Sequence, residues 1–368
     1  MLITTLWAVF FLATLVQIAY WVLGLSGLLR YREPHPADNN SQPGVSIIIC
    51  ARNEAENLKK NLGRILNQNY RSFEVLVVDD HSSDKTAQIV LEFQKTHPIL
   101  HLLSTKDVNL RGKKAALSKG IECSRFETIL LTDADCAPAS PDWLNNMQSL
   151  LHGDIQIGIG YGPYTTHRGL LNAFIRFETS YTAIQYLSFA IYGFPYMAVG
   201  RNLIYRKSLF FQQGGFRSHA HVLSGDDDLF VNGAATAQNT AVTIHPDTFV
   251  FSEPKRTWRG YYDQKSRHLT TGRHYRFRHR VALGGLSASH ALHYVSAIAL
   301  LTCGAFAPVV FFTWLARMGV VLFVYGKSLQ KLQDPGLFIW IPLLDAVYVL
   351  YYFLLAPALI AGNGKQWK

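Results

Sequence analysis

Three long stretches of this chain are almost free of charge, and between the first and second lies a segment of short apolar runs alternating with amphipathic ones. Residues 2–29 reach Arg30 without a charged side chain, and residues 291–325 and 337–361 are interrupted only by Arg317 and Asp345. A bilayer span needs about 20 apolar residues. The first stretch therefore predicts a membrane helix over 1–29. It lacks the basic n-region and small-residue cleavage site of a signal peptide. The second is too long for one span and predicts a helical pair over 287–326, turning near Pro308 or Phe311. The third predicts a last helix over 337–361. Arg30 and Arg32 follow the first of these four spans, and Lys327 and Lys331 follow the third. Basic residues gather on the cytoplasmic side, so the domain between them is expected there. Lys365 and Lys368 then fall on the far side, against that rule. Arg317 and Asp345 are costly in lipid and are expected to pair, unless Arg317 marks a span end.

Residues 30–44 are polar and proline-containing, which predicts a linker. Beyond it, strands are expected at Val45–Cys50, Phe73–Val78, Ile99–Leu103 and Thr128–Thr132. Helices are expected at Asn53–Gln68, Asp84–Gln94, Lys113–Ile121 and Pro141–Leu151, the second capped by Ser82, Ser83 or Asp84. Such alternation means an α/β fold with a doubly wound, mostly parallel sheet, flanked here by transmembrane helices. After about residue 155 the pattern loosens. An antiparallel strand near 156–163, aromatic helices over 169–192 and a short β region near 240–251 are expected. The domain is bounded at 45–250, with a basic amphipathic interfacial segment at 251–286.

Net charge is +10, and residues 251–280 concentrate it, with nine Lys and Arg against Glu253 and Asp263. Beside so much apolar sequence this reads as a belt at anionic lipid headgroups or a phosphate site, and not as a nucleic-acid surface. Within it Lys265 reads as lipid-facing, and Trp258, Tyr261 and Tyr262 as interfacial anchors. Cys50, Cys123, Cys136 and Cys303 have no metal or redox spacing and fit reduced thiols in a cytosolic domain.

The chemistry gathers at strand ends. Arg52, Asp79-Asp80 and Asp133-Ala134-Asp135 all follow predicted strands, so a doubly wound sheet brings them to one crevice at its carboxyl edge. Two carboxylates there suit a divalent cation such as Mg2+ or Mn2+. Taken singly, each could equally cap a helix. Asp226-Asp227-Asp228 would raise one another's pKa if buried, which suits a general base.

Together, Val45-Ser46-Ile47-Ile48-Ile49-Cys50-Ala51-Arg52-Asn53-Glu54, Val77-Val78-Asp79-Asp80, Gly112-Lys113 and Asp133-Ala134-Asp135 resemble the family 2 inverting glycosyltransferases, membrane-bound subgroup. So do Gly200-Arg201-Asn202-Leu203-Ile204-Tyr205-Arg206, Gly214-Gly215-Phe216, Ser224-Gly225-Asp226-Asp227-Asp228 and Gln264-Lys265-Ser266-Arg267-His268. The resemblance spans roughly 45–270. It implies a GT-A, Rossmann-like fold and transfer of a sugar from a nucleotide-diphosphate sugar, UDP-linked, to a lipid or lipid-linked acceptor hydroxyl. The setting would be the cytoplasmic face of a multi-pass protein of a bacterial inner membrane. It also implies Arg52, Glu54, Asp79, Asp80, Lys113, Asp133, Gln264, Arg267 and His268 around the nucleotide sugar, with Asp80 on the base. Asp135 and Asp133 would hold the metal, Asp227 (or Asp226) would be the base, and Asn202 and Tyr205 would face the acceptor. Two positions depart from the pattern. Asp226 stands where the family has Glu, and His268 where it has Trp, which weighs against a processive polysaccharide synthase. A sugar-nucleotide pyrophosphorylase would need a Gly-rich loop after the first strand, where Arg52-Asn53-Glu54 stands. A non-catalytic subunit would be expected to have lost Asp135 or Asp227.

Overall fold

The computed structural model describes residues 1–33, 42–106, 111–222 and 224–361. Linker residues 34–41 and the C-terminal Lys365 and Lys368 lie outside them. Helix α1 (Leu2–Ala19) runs through a π turn (Tyr20–Gly24) into α2 (Gly27–Arg30). The α/β units follow as β1 (Val45–Ala51), α3 (Ala55–Leu66), β2 (Phe73–Asp79), α4 (Thr86–Gln94), β3 (Leu100–Ser104), α5 (Lys113–Cys123) and β4 (Thr128–Asp133). Then come β5 (Cys136–Pro138), α6 (Trp143–Gln148), β6 (Ile157–Ile159), α7 (Leu170–Ile191), β7 (Leu203–Arg206), α8 (Lys207–Gln212) and α9 (Asp228–Ala234). Strands β8 (Thr240–Val242) and β9 (Val250–Ser252) precede α10 (Trp258–Leu269), α11 (Phe277–Thr302), α12 (Ala307–Lys331) and α13 (Ile341–Ala361).

The main sheet has the order β3-β2-β1-β4-β7-β6-β8. Its first four strands are parallel, β7 is antiparallel to both β4 and β6, and β8 is parallel to β6. All seven residues of β1 are buried, because helices cover both faces. Val45, Ile47, Ile49 and Ala51 pack with Leu58, Leu62 and Ile65 of α3, while Ile48 and Cys50 pack toward Leu117 and Ile121 of α5. Each such side chain adds about 1.5–3 kcal/mol by leaving water. Register fixes the functional edge, since Ala51 pairs with Asp79 and Cys50 with Asp133.

Among the described residues, three helices are long and apolar enough to cross a membrane: Leu2–Arg30, Ala307–Lys331 and Pro335–Ala356. The fourth expected span is different in character. Helix α11 begins ten residues before the predicted 287 and carries Ser289, His290, His293 and Ser296 on its buried side. It is joined to α1 by polar contacts, from Gln17 Nε2 to Leu286 O (2.9 Å) and Ser289 Oγ (2.8 Å), and between Thr14 Oγ1 and His293 Nδ1 (2.8 Å). The turn of the pair falls at 303–306, earlier than predicted, because Pro308 is tolerated in the first turn of α12. Residues 169–192 form one helix, not several.

Arg317 and Asp345 do pair. Arg317 donates to Asp345 at 2.6 and 3.2 Å and to Gln17 Oε1 at 3.0 Å, and Tyr294 donates to Asp345 at 2.7 Å. Arg317 is 1% exposed and Asp345 3%, so the pair locks α1, α11, α12 and α13 together. Arg317→Leu strands a buried carboxylate and is expected to cost about 3–5 kcal/mol, most of it recovered in Arg317→Leu/Asp345→Leu. Unfolding in detergent measures both, and equal losses in the single and double variants would contradict the pair.

Candidate active site

Parallel strands bring their carboxyl ends to one edge, and the loops there are tied together. At the end of β1 the half-buried Arg52 precedes Asn53, whose φ of +56° is a conformation asparagine tolerates. Asn53 accepts from Ser83 N (2.8 Å) and donates from its own N–H to Ser82 Oγ (2.9 Å). Asp79 accepts from Ser82 N at 3.1 Å. Asp84, one of the three residues expected to cap α4, accepts from Thr86 N at 2.9 Å and lies one residue before the N-cap position, Lys85. Asp80 is fully buried, and both its oxygens are engaged, by Thr105 Oγ1 (2.8 Å) and Gly112 N (3.0 Å). In this state its carboxylate organises the entry to α5.

Gly112 (φ +108°) makes that entry, and Lys113 opens the helix. Its ammonium lies 2.9 Å from Asp133 Oδ1 and 3.2 Å from Asp226 Oδ2. Burial lowers its pKa, but Asp133, Asp226 and Asp227 more than offset that and hold it well above the usual lysine range. Asp133 in turn is held low, against its own burial, by Lys113, Arg201 and Arg267. Asp135 is pushed up by burial and by Asp133. Glu54 is raised by burial first, and also by Asp135 and Asp133. Donor atoms of Asp133, Asp135 and Cys136 lie within 4.8 Å of one another. Burial and the two carboxylates keep the Cys136 thiol protonated. The pair of hard oxygen donors, destabilised by each other's charge, fits a divalent cation of the Mg2+ or Mn2+ class, and the thiol adds nothing to that fit.

The three adjacent aspartates have three environments. Asp226 is buried against Lys113. Asp228 accepts from Leu229 N, from Tyr275 OH (2.7 Å) and from Thr271 Oγ1, which ties the segment after α10 to α9. Asp227 caps α9, accepting from Asp228 N (2.8 Å) and Gly200 N (2.6 Å), and alone of the three it is partly open. Burial, then repulsion from Asp226 and Asp228, raises its pKa to about 7.

Helix α10 supplies the basic side. Arg267 acts electrostatically on Asp133. Gln264 donates to Tyr164 OH at 3.2 Å. Desolvation first, then the positive charge of Lys265, Arg267, Lys113 and Arg201, holds the pKa of His268 well below the usual imidazole range. Lys265 is not lipid-facing, for it pairs with Glu178 of α7 at 2.5 Å, with side chains 14% and 5% exposed. Tyr261 is buried against Phe174 and Tyr351, whereas Trp258 and Tyr262 are exposed.

Asn202 and Tyr205 belong to the core and not to this crevice. Asn202 is fully buried, accepting from Trp143 Nε1 (3.0 Å) and donating to Tyr161 O (2.8 Å) and Thr248 O (2.7 Å). Tyr205, 1% exposed, packs on Phe230. Arg201, next to the Gly200 that holds Asp227, was assigned no role from the sequence. Glu178 was also missed, although a lone acid in the apolar run 170–191 is a legible signal of a buried partner.

The protein that carries this doubly wound sheet and acidic crevice is a glycosyltransferase of the nucleotide-sugar, family 2-like kind, as its similarities to known proteins show. The model of glycosyl transferase family 21 matches residues 9–360, and the chain belongs to that family. It is similar to a probable glycosyltransferase, YdaM, of Bacillus subtilis, 27% identical over 238 residues, covering 61% of this chain and 54% of that one. It is also similar to the poly-beta-1,6-N-acetyl-D-glucosamine synthase of Staphylococcus epidermidis, 30% identical over 32% of this chain and 29% of that one. The beta-monoglucosyldiacylglycerol synthase of Trichormus variabilis is 34% identical over 32% of this chain and 27% of that one. The chain thus spans about half or less of these relatives' lengths. The mannosyltransferase PcManGT of Pyrobaculum calidifontis, solved with GDP-Man and Mn2+, superposes with a TM-score of 0.62 at 19% identity, covering 95% of this chain and 99% of that one. That likeness shows the shared GT-A-type fold.

Lys265→Met leaves Glu178 charged and buried, and is expected to cost about 3–5 kcal/mol, against much less for Lys265→Met/Glu178→Leu. Thermal unfolding in detergent checks the difference. A Lys265→Met variant as stable as the parent would show the pair to be solvated.

Proposed function

We propose that this protein is a membrane-bound inverting glycosyltransferase that moves one sugar from a nucleotide-diphosphate sugar to the hydroxyl of a lipid or lipid-linked acceptor at the cytoplasmic membrane face. The observation that carries the reading is the joining of Asp133, Lys113, Asp226 and Asp227 in one crevice, with Asp135 beside them and α10 along the rim. Helices α7 and α10 rest on the apolar helices, which supports an acceptor presented from a bilayer. The named activity of the diacylglycerol-modifying relative favours the same class of acceptor.

Asp227 is the base. It takes the acceptor hydroxyl's proton as that oxygen attacks the anomeric carbon from the face opposite the diphosphate, whose bond to the sugar breaks with inversion. A pKa near 7 suits a base working near neutrality. Gly200 N and Asp228 N fix the orientation of its carboxylate. Asp133 and Asp135 would hold a divalent cation, which when bound supplies charge neutralisation to the departing diphosphate. Lys113, Gln264, Arg267 and the neutral His268 line the donor's path, with Arg52, Glu54, Asp79 and Asp80 at the nucleoside end. The relative named as a polymer synthase motivates a second reading, processive synthesis. Product length from purified enzyme separates the two.

Asp227→Asn is expected to lower kcat by about 10²–10⁴-fold while leaving donor affinity within a few-fold. Ordinary turnover in that variant removes the assignment. Since Asp227 must be ionised to act, kcat/KM should fall tenfold per pH unit below about 7 and level off above it. An acid limb near 4 would place the base elsewhere. EDTA should abolish transfer and Mg2+ or Mn2+ restore it, read together with donor binding by calorimetry. Metal-independent binding and turnover in Asp135→Ala and in the parent would remove the metal role.

A further inference from the structure

Arg201 follows Gly200, whose N–H holds Asp227. Its guanidinium lies 4.6 Å from the centre of the Tyr164 ring, and the hydroxyl of that tyrosine accepts from Gln264. A Cβ at Gly162 would stand 2.3 Å from Arg201 Nε and 2.9 Å from Cδ, so this seat exists because residue 162 has no side chain. Arg201 acts electrostatically on Asp133, Asp135 and His268. Among the described residues no carboxylate reaches ion-pair distance of it, and its Nε is buried without a hydrogen-bond partner. Lys113, the neighbouring cation, is by contrast engaged on both sides by Asp133 and Asp226.

A guanidinium cannot shed its charge, and keeping one half-buried beside carboxylates it does not pair with is costly. The cost is explained if its partner arrives with the ligand. An anionic partner with two oxygens side by side fits it, as a phosphate does, since the planar arginine fork meets phosphate oxygens two at a time. Position along the donor follows from the chain. Arg201 is one residue from Gly200, whose N–H holds Asp227, and its charge acts on Asp133 and Asp135, so it lies with the carboxylates of the reacting end.

We propose that Arg201, seated by Gly162 and Tyr164, is the binding residue for the sugar-bearing β-phosphate of the donor. This rests on the glycosyltransferase reading above. It adds a cation that the motif residues Lys113, Gln264 and Arg267 do not include, and it gives Gly162 and Tyr164 a role in shaping the diphosphate seat.

The test is calorimetric titration of the full-length, detergent-solubilised protein with uridine and guanosine mono- and diphosphates, in EDTA and again with Mg2+. The parent should bind one diphosphate more tightly than its monophosphate. Arg201→Gln should weaken the diphosphate at least about tenfold and leave the monophosphate within twofold, because only the charge-assisted contacts to the second phosphate are lost. Arg201→Lys should fall between. Gly162→Ala, which keeps the arginine but crowds its seat, should move in the same direction. An unchanged diphosphate-to-monophosphate ratio in Arg201→Gln overturns the proposal. So does an equal loss of both nucleotides in Arg201→Gln and Arg201→Lys, which would mark a structural residue. A parent protein that binds neither nucleotide fails the glycosyltransferase reading itself, an outcome distinct from either of these.

Discussion

The crevice is organised around one ammonium group. Lys113 stands at the first turn of α5, where the helix dipole disfavours a cation, and it is largely withdrawn from water. Such a charge persists only if opposite charges offset both penalties. Asp133 arrives from the end of β4 and Asp226 from the loop before α9, each within 3.2 Å of Lys113 Nζ. Asp80, from the end of β2, fixes Gly112 N and so the point where α5 begins. One side chain thereby ties β2, β4, α5 and the Asp226 loop into a single edge. Take it away and Asp133 and Asp226 lose the cation that bridges them.

That constraint explains why three consecutive aspartates behave differently. Lys113 captures Asp226, and the hydroxyls of Thr271 and Tyr275 capture Asp228. The residue between them accepts hydrogen bonds from the backbone N–H groups of Gly200 and Asp228. It remains partly open while feeling the charge of both neighbours. The raised pKa of Asp227 follows from its burial first and then from where its charged neighbours are anchored. The sequence Asp226-Asp227-Asp228 pointed to Asp227 as the base, with Asp226 as the alternative. The ion pair of Asp226 and the cap geometry of Asp227 favour the second.

Much of this edge was readable before any fold was known, for a physical reason. Parallel strands buried on both faces appear as unbroken apolar runs, so β1 to β4 announce themselves, and the residues that follow them share an edge by topology. Short strands carry no such signal. β5 and β7 are defined by partners distant in sequence, Ser252 with Cys136 and Tyr205 with Ile129, and no local pattern reveals them. The same loss of locality hid the burial of Asn202 and Tyr205, whose motif reads as polar and functional but whose groups are consumed by Trp143, Tyr161, Thr248 and Phe230. It also hid Arg201, whose seat depends on a missing side chain at Gly162.

The apolar helices are more than an anchor. Helix α7 lies between sheet and bundle, its Ser180 bonded to Tyr325 of α12 (2.8 Å) and its Ser188 to Leu25 O (2.9 Å). Its Glu178 holds Lys265 of α10, the neighbour of Gln264 and two positions before Arg267. A buried ion pair is geometrically intolerant, because sliding either helix by one turn leaves a charge unpaired. The bundle therefore sets, through α7, the height at which α10 presents its cations to Asp133. A soluble sheet could bind a diphosphate without that connection. Coupling the basic rim to helices of membrane character makes the distance between Asp227 and those helices a fixed property of the fold.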